Sequence, residues 1–204
     1  MLKTFRITKK KLILASSSPR RKELLEQVGF QFEVIPNKVD ENMKNGENPV
    51  DHVLRLAEEK ALDVANGLKN SWVIGADTIV LVDGEILGKP DGKQDAYRML
   101  MKLSGKDHKV ITGFCILDTD TKKTISEYVE TIVTVKELTE EEIESYIETK
   151  EPFDKAGSYA IQGIGSFMVR EIKGSYTNVV GLPVCEVVEC LRRVGEVRLF
   201  DGAR

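Results

Sequence analysis

The order of apolar and polar residues in the first 36 positions predicts a strand, a helix and a second strand. Residues 11–15, KLILA, form a short continuous apolar run that is typical of a buried strand. Residues 18–29 predict a helix, because Ser18 suits the N-cap position and Pro19 the first helical position. Residues 31–36 alternate apolar and polar side chains and predict another strand.

A longer helix is predicted to begin at Pro49, with Asn48 as its N-cap, after a polar loop. Apolar residues recur every three or four positions from there, which is the period of one helix face. That stripe consists of Val50, Val53, Leu54, Ala57, Ala61 and Val64.

The remaining two thirds of the chain alternate between strand-like and helix-like segments. Residues 71–84 predict one long strand or a strand pair that turns at Asp83, and residues 108–118 and 126–138 predict adjacent antiparallel strands. The other predicted elements are a helix at 93–103, a helix from the Thr139–Glu142 capping box that ends before Pro152, a strand at 166–174, turns at 174–183, and a helix from Pro183 to about Val194.

Interleaved helices and strands, some joined by hairpins, indicate the α/β class. The expected architecture is a mixed, twisted sheet with flanking helices, and not a purely parallel sheet. At 204 residues, without an internal repeat or a low-complexity linker, the chain is expected to form a single domain over residues 1–204.

Composition and charge narrow the possible classes of function. With 41% hydrophobic and 31% charged residues, the chain has the composition of a globular protein and not of a disordered or coiled-coil one. The formal net charge is −3, yet residues 1–22 hold eight basic side chains and no acidic one. This asymmetry points to an anionic partner near the N-terminus.

Targeting signals and cysteine usage favour a cytoplasmic protein that does not enter a membrane. The apolar run that follows the basic N-terminus covers only residues 12–15, which is too short for a signal peptide. The longest uncharged stretch, residues 156–169, is interrupted by glycines and is too short to span a bilayer. The three cysteines, an odd set without a CxxC pair, predict buried reduced thiols: Cys115, Cys185 and Cys190.

Residues 12–25, LILASSSPRRKELL, predict an anion-binding site. A buried strand that runs through serines into a helix places unpaired N–H groups and the positive end of the helix dipole together. Ser16 and Ser18 can add hydroxyl donors, and Arg20 and Arg21 can add guanidinium groups. Arginines in a first turn are unfavourable by ~0.3–1 kcal/mol each unless an anion is bound. The alternative is a solvated helix start whose arginines pair with acidic residues elsewhere.

A bound polyphosphate calls for a hard divalent cation, which prefers carboxylate oxygens. Asp77 lies inside the apolar segment VIGADTIVLV, where an unpaired carboxylate is costly, so it is expected to meet a metal, a cation or a cleft unless it faces water at a strand end. Glu41, beside Asp40, is a second candidate ligand. Lys60 and Lys89 are each typical of a solvated surface, but together with the arginines they would neutralise much of a triphosphate.

The glycine-rich residues 154–165 carry one amide, Gln162, which can pair with a base edge because it offers a donor and an acceptor. A tight structural turn with a solvated glutamine is the alternative. Taken together, the chain resembles the Maf proteins, which are nucleoside triphosphate pyrophosphatases. The resemblance covers about residues 11–193 and rests on the ordered motifs ASSSPRRKELL, VDEN, AEEKA, GADTIV, GKP, LSGKDHKVITG, DKAGSYAIQG and GSYTNVVGLP.

The resemblance implies hydrolysis of a nucleoside triphosphate between its α and β phosphates, with Mg²⁺ or Mn²⁺. It also implies a fold of two lobes around a central cleft that holds the site, assembly as a homodimer, and an N-terminal extension over residues 1–10. The expected partner is a nucleotide and not a nucleic acid.

Site roles are carried over from the resemblance position by position. Asp77 corresponds to the catalytic proton acceptor, and Glu41 with Asp77 to the metal ligands. The phosphate-binding positions are Ser16, Ser18, Arg21, Lys60 and Lys89. The specificity positions Arg20, Thr78 and Gln162 all resemble the branch that prefers dTTP and UTP, whereas the 7-methyl-GTP branch tends to carry Trp, Gln and Glu there.

Three other functions stay open at this point. One is 7-methyl-GTP hydrolysis, and another is a non-catalytic nucleotide-binding regulator of septum formation, which would not need Asp77 and Glu41. The third is a nucleic-acid binder that uses the basic N-terminus. Only Phe5 stands among the cations of residues 1–22, and a single-strand binding surface would interleave more aromatics with them.

Overall fold

The computed structural model describes residues 6–7 and 9–198, so most of the expected N-terminal extension, residues 1–5 and 8, lies outside the described part. The strands are β1 Arg6–Ile7, β2 Lys11–Leu14, β3 Glu33–Val34, β4 Ser71–Val82, β5 Glu85–Leu87, β6 Asp107–Asp118, β7 Thr124–Val135, β8 Val169–Lys173 and β9 Val197–Arg198. The α-helices are α1 Pro19–Gln27, α2 Pro49–Ala65, α3 Lys93–Leu103, α4 Glu140–Glu148, α5 Tyr176–Val180 and α6 Val184–Arg193.

The main sheet has seven strands in the order β3-β2-β4-β6-β7-β8, and β5 pairs with β4. Strand β2 runs parallel to β3 and β4, whereas β5 and β8 are antiparallel to β4 and β7. The expected α/β class with a mixed sheet is confirmed. Strands β1 and β9 form a separate antiparallel pair. No helix in the described part of the chain is long and apolar enough to cross a membrane.

The chain divides into two compact units. The first comprises the residues up to Asp77, 112–128 and those from Gly181 onward, and the second comprises 78–111 and 129–180. Strands β4, β6 and β7 each contribute residues to both units.

Helix α2 packs closely on the sheet in the first unit. A Cβ atom at Gly75 would lie 2.1 Å from the carbonyl oxygen of Ala57, and one at Gly113 would lie 2.5 Å from that of Val53. Both strand positions therefore require glycine. The surrounding core includes Ile13, Ala57, Ala61, Val64, Val73, Cys115 and Leu117.

The second unit has its own core between its strand segments and helices α3 and α4. Leu100 and Leu103 from α3 and Ile143 and Ile147 from α4 are buried there. Gly157, with φ +70°, places its backbone against Val80, because an added Cβ would lie 3.0 Å from that side chain.

His108, 2% exposed, gives the second unit a pH-dependent stability. Its Nε2 lies 2.7 Å from the Tyr159 hydroxyl, and burial lowers its pKa to about 4. Between pH 6.5 and pH 4, His108 binds a proton in the unfolded chain but not in the folded chain. The contribution of His108 to the free energy of unfolding is therefore fully present above pH 6.5 and is lost as the pH falls. We expect about 3 kcal/mol to be lost as the pH falls from 6.5 to 4.

Urea unfolding at pH 7 and pH 4.5, with the variant His108→Gln for comparison, measures this contribution. The glutamine does not titrate, so the variant should lose less stability than the wild type between the two pH values. Equal losses would contradict the assignment to His108.

Two segments near the end of the second unit differ from the expected elements. The strand expected over 166–174 begins only at Val169, because residues 164–168 form a 3₁₀ turn in which Ser166 Oγ donates to Gly163 O at 2.8 Å. Helix α5 replaces an expected turn. It is held by Asn178, which donates to Val110 O and Thr131 Oγ1. Among the cysteines, Cys115 and Cys190 are buried as expected, but Cys185 is exposed on α6.

Candidate functional site

The junction of β2 and α1 folds as the sequence predicts. Ala15 N donates to Ile74 O at 2.8 Å, which continues the parallel pairing with β4 to the strand end. Ser16 is buried, and its Oγ accepts from Ser18 N at 3.1 Å. Ser18 is the N-cap of α1 and accepts from Arg21 N, while the first turn carries no acidic residue. The first turn of α1 therefore contributes no carboxylate of its own that would offset the positive end of the helix dipole.

Arg21 ties this helix start to the neighbouring strand. Its Nε donates to Gly181 O at 2.7 Å, and its Nη1 donates to Ala76 O at 2.8 Å. Burial lowers the pKa of Arg21, and the nearby carboxylates of Asp77 and Glu41 oppose that shift. The guanidinium group is therefore fixed beside the candidate catalytic aspartate, with Nε and Nη1 engaged by backbone carbonyls.

A buried lysine and two carboxylates form the centre of the candidate site. Lys60 Nζ lies 2.6 Å from Glu41 Oε1 and 2.7 Å from Asp77 Oδ1. The side chains of Lys60 and Asp77 are 3% and 9% exposed, whereas that of Glu41 is 48% exposed. The expectation that Asp77 meets a cation is confirmed, and the alternatives of a water-facing Asp77 and a solvated Lys60 are wrong.

The position of Lys60 follows from the packing of α2. Gly75 allows the helix to contact β4 directly, and Asp77 follows two residues later on that strand. Residues two apart on a strand project to the same face, so Asp77 lies on the side of the sheet that α2 covers. Removing one partner of such a buried pair leaves an uncompensated charge, which costs about 3–5 kcal/mol.

A second ion-pair cluster holds the loop that carries Glu41. Arg55 of α2 binds both carboxylate oxygens of Glu47, at 2.6 and 2.8 Å, and donates to Asn42 O at 3.2 Å. The same arginine keeps the pKa of Glu47 well below its usual range. Arg55 thus binds the loop to α2 at Asn42 and at Glu47, on either side of residues 43–46. This contact was not predicted, although the sequence shows an acidic residue directly before the Asn48 cap and an arginine about two turns into the helix.

Three predicted site residues belong to the second unit. Thr78 follows Asp77 directly in β4 and is half-buried, Lys89 is exposed in the loop after β5, and Gln162 is half-buried in the glycine-rich segment. The structure brings the other candidates together in the first unit through the contacts of Arg21 and Lys60. Arg20, half-buried, is the second residue of α1.

Asp77 and Glu41 fit a divalent cation that also binds phosphate. Their oxygens converge on one ammonium nitrogen, so they are close enough to share one ion. Mg²⁺ is typically held by one or two carboxylates together with substrate phosphates, and it keeps several waters. Within residues 6–7 and 9–198, no cluster of three or more acidic, histidine or cysteine side chains is arranged to hold a metal. An ion at this position would be held by the two carboxylates together with water and substrate phosphate oxygens.

The mixed sheet, the strand-to-helix turn and the buried lysine–carboxylate cluster define an α/β protein with a charged site beside the junction of β2 and α1 and the middle of β4. Comparison with known proteins identifies the family. The Maf-like protein family matches residues 11–194, and the chain belongs to this family.

Similar proteins cover almost the whole chain. The dTTP/UTP pyrophosphatase of Geotalea uraniireducens is 55% identical over 189 residues, which are 93% of this chain and 97% of that protein. The dTTP/UTP pyrophosphatase of Geobacter sp. strain M21 is 57% identical, over 90% of this chain and 95% of that protein. The one of Syntrophotalea carbinolica is 53% identical, over 95% of this chain and 89% of that protein.

Proposed function

We propose that this protein hydrolyses dTTP and UTP to the nucleoside monophosphates and pyrophosphate. The buried cluster of Asp77, Lys60 and Glu41 carries this proposal, because it places charged groups suited to phosphate chemistry beside a helix N-terminus. Relatives that are 53–57% identical bear the name of this activity. A non-catalytic regulator would have no need of two carboxylates around a buried lysine.

In the proposed reaction a water oxygen attacks the α phosphorus, the bond from that phosphorus to the bridging oxygen breaks, and pyrophosphate leaves with the bridging oxygen. Asp77 accepts the proton of the attacking water. Lys60, which contacts Asp77 in the resting protein, holds this carboxylate in place and stabilises negative charge. The N–H groups at the start of α1, with Ser16, Ser18 and Lys89, bind phosphate oxygens.

A divalent cation, Mg²⁺ or Mn²⁺, bound by Asp77 and Glu41 would supply charge neutralisation and lower the pKa of a bound water. Arg21 donates from Nε and Nη1 to backbone carbonyls, so its positive charge is held in a fixed position from which it stabilises the negative charge of the phosphates.

Base selection is assigned to Arg20, Thr78 and Gln162. These three positions resemble the branch of the family that prefers dTTP and UTP, and Gln162 offers the donor and the acceptor that a pyrimidine edge needs. Hydrolysis of 7-methyl-GTP is the second candidate activity, and no residue at these positions favours it.

Pyrophosphate release with Mg²⁺ or Mn²⁺ across dTTP, UTP, CTP, dATP, dGTP and 7-methyl-GTP tests the proposal. The highest kcat/KM is expected for dTTP and UTP, and removal of the cation by EDTA should abolish turnover. A preference for 7-methyl-GTP would overturn the specificity, and inactivity on every nucleotide would overturn the enzyme assignment.

We also propose that the protein is a single domain with an N-terminal extension over residues 1–10. It is proposed to be cytoplasmic, to assemble as a homodimer and to have no nucleic-acid partner. Light scattering of the purified full chain measures the oligomeric state, and a monomer at micromolar concentration would rule out the dimer.

A further inference from the structure

A tyrosine of α4 and a glutamate three residues after the end of that helix contact the glycine-rich segment of the second unit. Tyr146 is 2% exposed, and its hydroxyl donates to Glu151 Oε1 at 3.0 Å. Between them the chain reverses at Lys150, which has φ +64°. This turn returns the Glu151 carboxylate towards the helix that carries Tyr146.

The same two side chains bind the backbone on both sides of Gln162. Ala160 N donates to the Tyr146 hydroxyl at 3.2 Å. Ile164 N and Gly165 N donate to the two oxygens of Glu151, each at 3.0 Å. The segment is thus held two residues before and two residues after the glutamine.

Tyr146 and Glu151 together form a clamp on this segment, and the close approach of the backbone to the clamp depends on two glycines. A Cβ at Gly163 would lie 2.8 Å from Glu151 Oε2, and its φ of +79° also disfavours other residues. A Cβ at Gly165 would lie 2.6 Å from the Tyr146 hydroxyl oxygen. The glycines therefore let the backbone N–H groups reach the carboxylate and the hydroxyl.

The protonation states support these contacts. Burial, with the charge of Glu151, raises the pKa of Tyr146, so the hydroxyl keeps its proton. Burial would raise the pKa of Glu151, but its hydrogen bonds from Gly165, Ile164 and Tyr146 outweigh this, and the net shift is downward. An ionised carboxylate that accepts backbone N–H groups makes stronger bonds than a neutral acceptor.

We propose that Tyr146 and Glu151 are positioning residues for base selection, which act by fixing the segment that carries Gln162. This proposal rests on the proposed function, in which Gln162 contacts the nucleobase. A fixed amide rejects a base that leaves its donor or acceptor unpaired, whereas a mobile amide can adapt to several bases.

The test compares Tyr146→Phe and Glu151→Gln with the wild type on dTTP and dATP. Each change removes or weakens one side of the clamp and keeps the shape of the side chain. We expect the KM for dTTP to rise about tenfold, with kcat at saturation kept within about twofold. The ratio of kcat/KM for dTTP to that for dATP should fall about tenfold.

A matched control separates positioning from general loss of stability. Ser104 Oγ accepts from Leu138 N at 2.8 Å, so Ser104→Ala also removes one side-chain acceptor of a backbone N–H in the second unit. Its melting temperature should fall, while its dTTP to dATP ratio should equal that of the wild type.

A double-mutant cycle with Gln162→Ala tests whether the clamp acts through Gln162. In that background Tyr146→Phe should cause no further loss of the ratio. An unchanged ratio in both single variants, or an equal loss with and without Gln162, would overturn the inference while leaving the proposed function intact. An inactive wild type would overturn both.

Discussion

Replacing Asp77 by Asn is expected to lower kcat for dTTP by about 10²-fold or more, the usual effect of removing a general base or a charge that acts in the transition state. The amide keeps the size of the side chain and an oxygen that can accept from Lys60, which lies 2.7 Å from Asp77 Oδ1. It removes the negative charge and the capacity to accept a proton. Initial rates of pyrophosphate release with saturating dTTP measure the effect.

Asp118 provides the control for this variant. It is also a buried aspartate of the first unit that pairs with a lysine, Lys10. The neighbouring Thr119 N donates to Ser71 O at the start of β4, about 20 Å along the strand from Asp77. Asp118→Asn should lower stability and leave kcat unchanged. Near-normal turnover by Asp77→Asn, or an equal loss of kcat in both variants, would contradict the proposed catalytic role of Asp77.

Replacing Gly75 by Ala is expected to lower the free energy of unfolding by about 3 kcal/mol or more. The new methyl group would lie 2.1 Å from the carbonyl oxygen of Ala57 and 2.7 Å from the backbone nitrogen of Ala61. Neither backbone atom can move without shifting α2 away from β4. That shift also withdraws Lys60 from Asp77, so turnover should fall together with stability.

Gly88→Ala is the matched stability control, because a Cβ there meets nothing within 4 Å. Urea unfolding of both variants at pH 7 gives the comparison, and Gly88→Ala should lie within about 0.5 kcal/mol of the wild type. A Gly75→Ala protein as stable as the wild type would mean that α2 does not contact β4 as closely as the structure shows.

Local sequence signals predicted most elements because they depend on neighbouring residues. Ser18, Asn48 and Thr139 cap the helices that their positions indicated. The mixed sheet also followed from the alternation of segments. The short helix α5 was missed, because it depends on Asn178 bonding to Val110 and Thr131, which are distant in sequence.

The candidate site was predictable in part. An aspartate in an apolar strand and a lysine beside an apolar helix stripe are unusual enough to be noticed singly. Their mutual contact depends on the register between α2 and β4, which the sequence pattern does not specify. The supporting pairs, Arg55 with Glu47 and Tyr146 with Glu151, consist of residue types that are common on surfaces. Only their burial and their backbone partners distinguish them.

The bond from Arg21 to the carbonyl of Gly181 has a consequence for synthesis of the chain. The first unit is assembled from three separate stretches, and its last stretch begins at that glycine. The second unit ends at Val180, so all of its residues are synthesised before the last stretch of the first unit. Gly181 is synthesised 160 residues after Arg21, so the hydrogen bond between them forms only late in synthesis. Truncated chains that end before Gly181 therefore lack the contact that fixes this arginine, so an interrupted translation product would carry an incomplete candidate site.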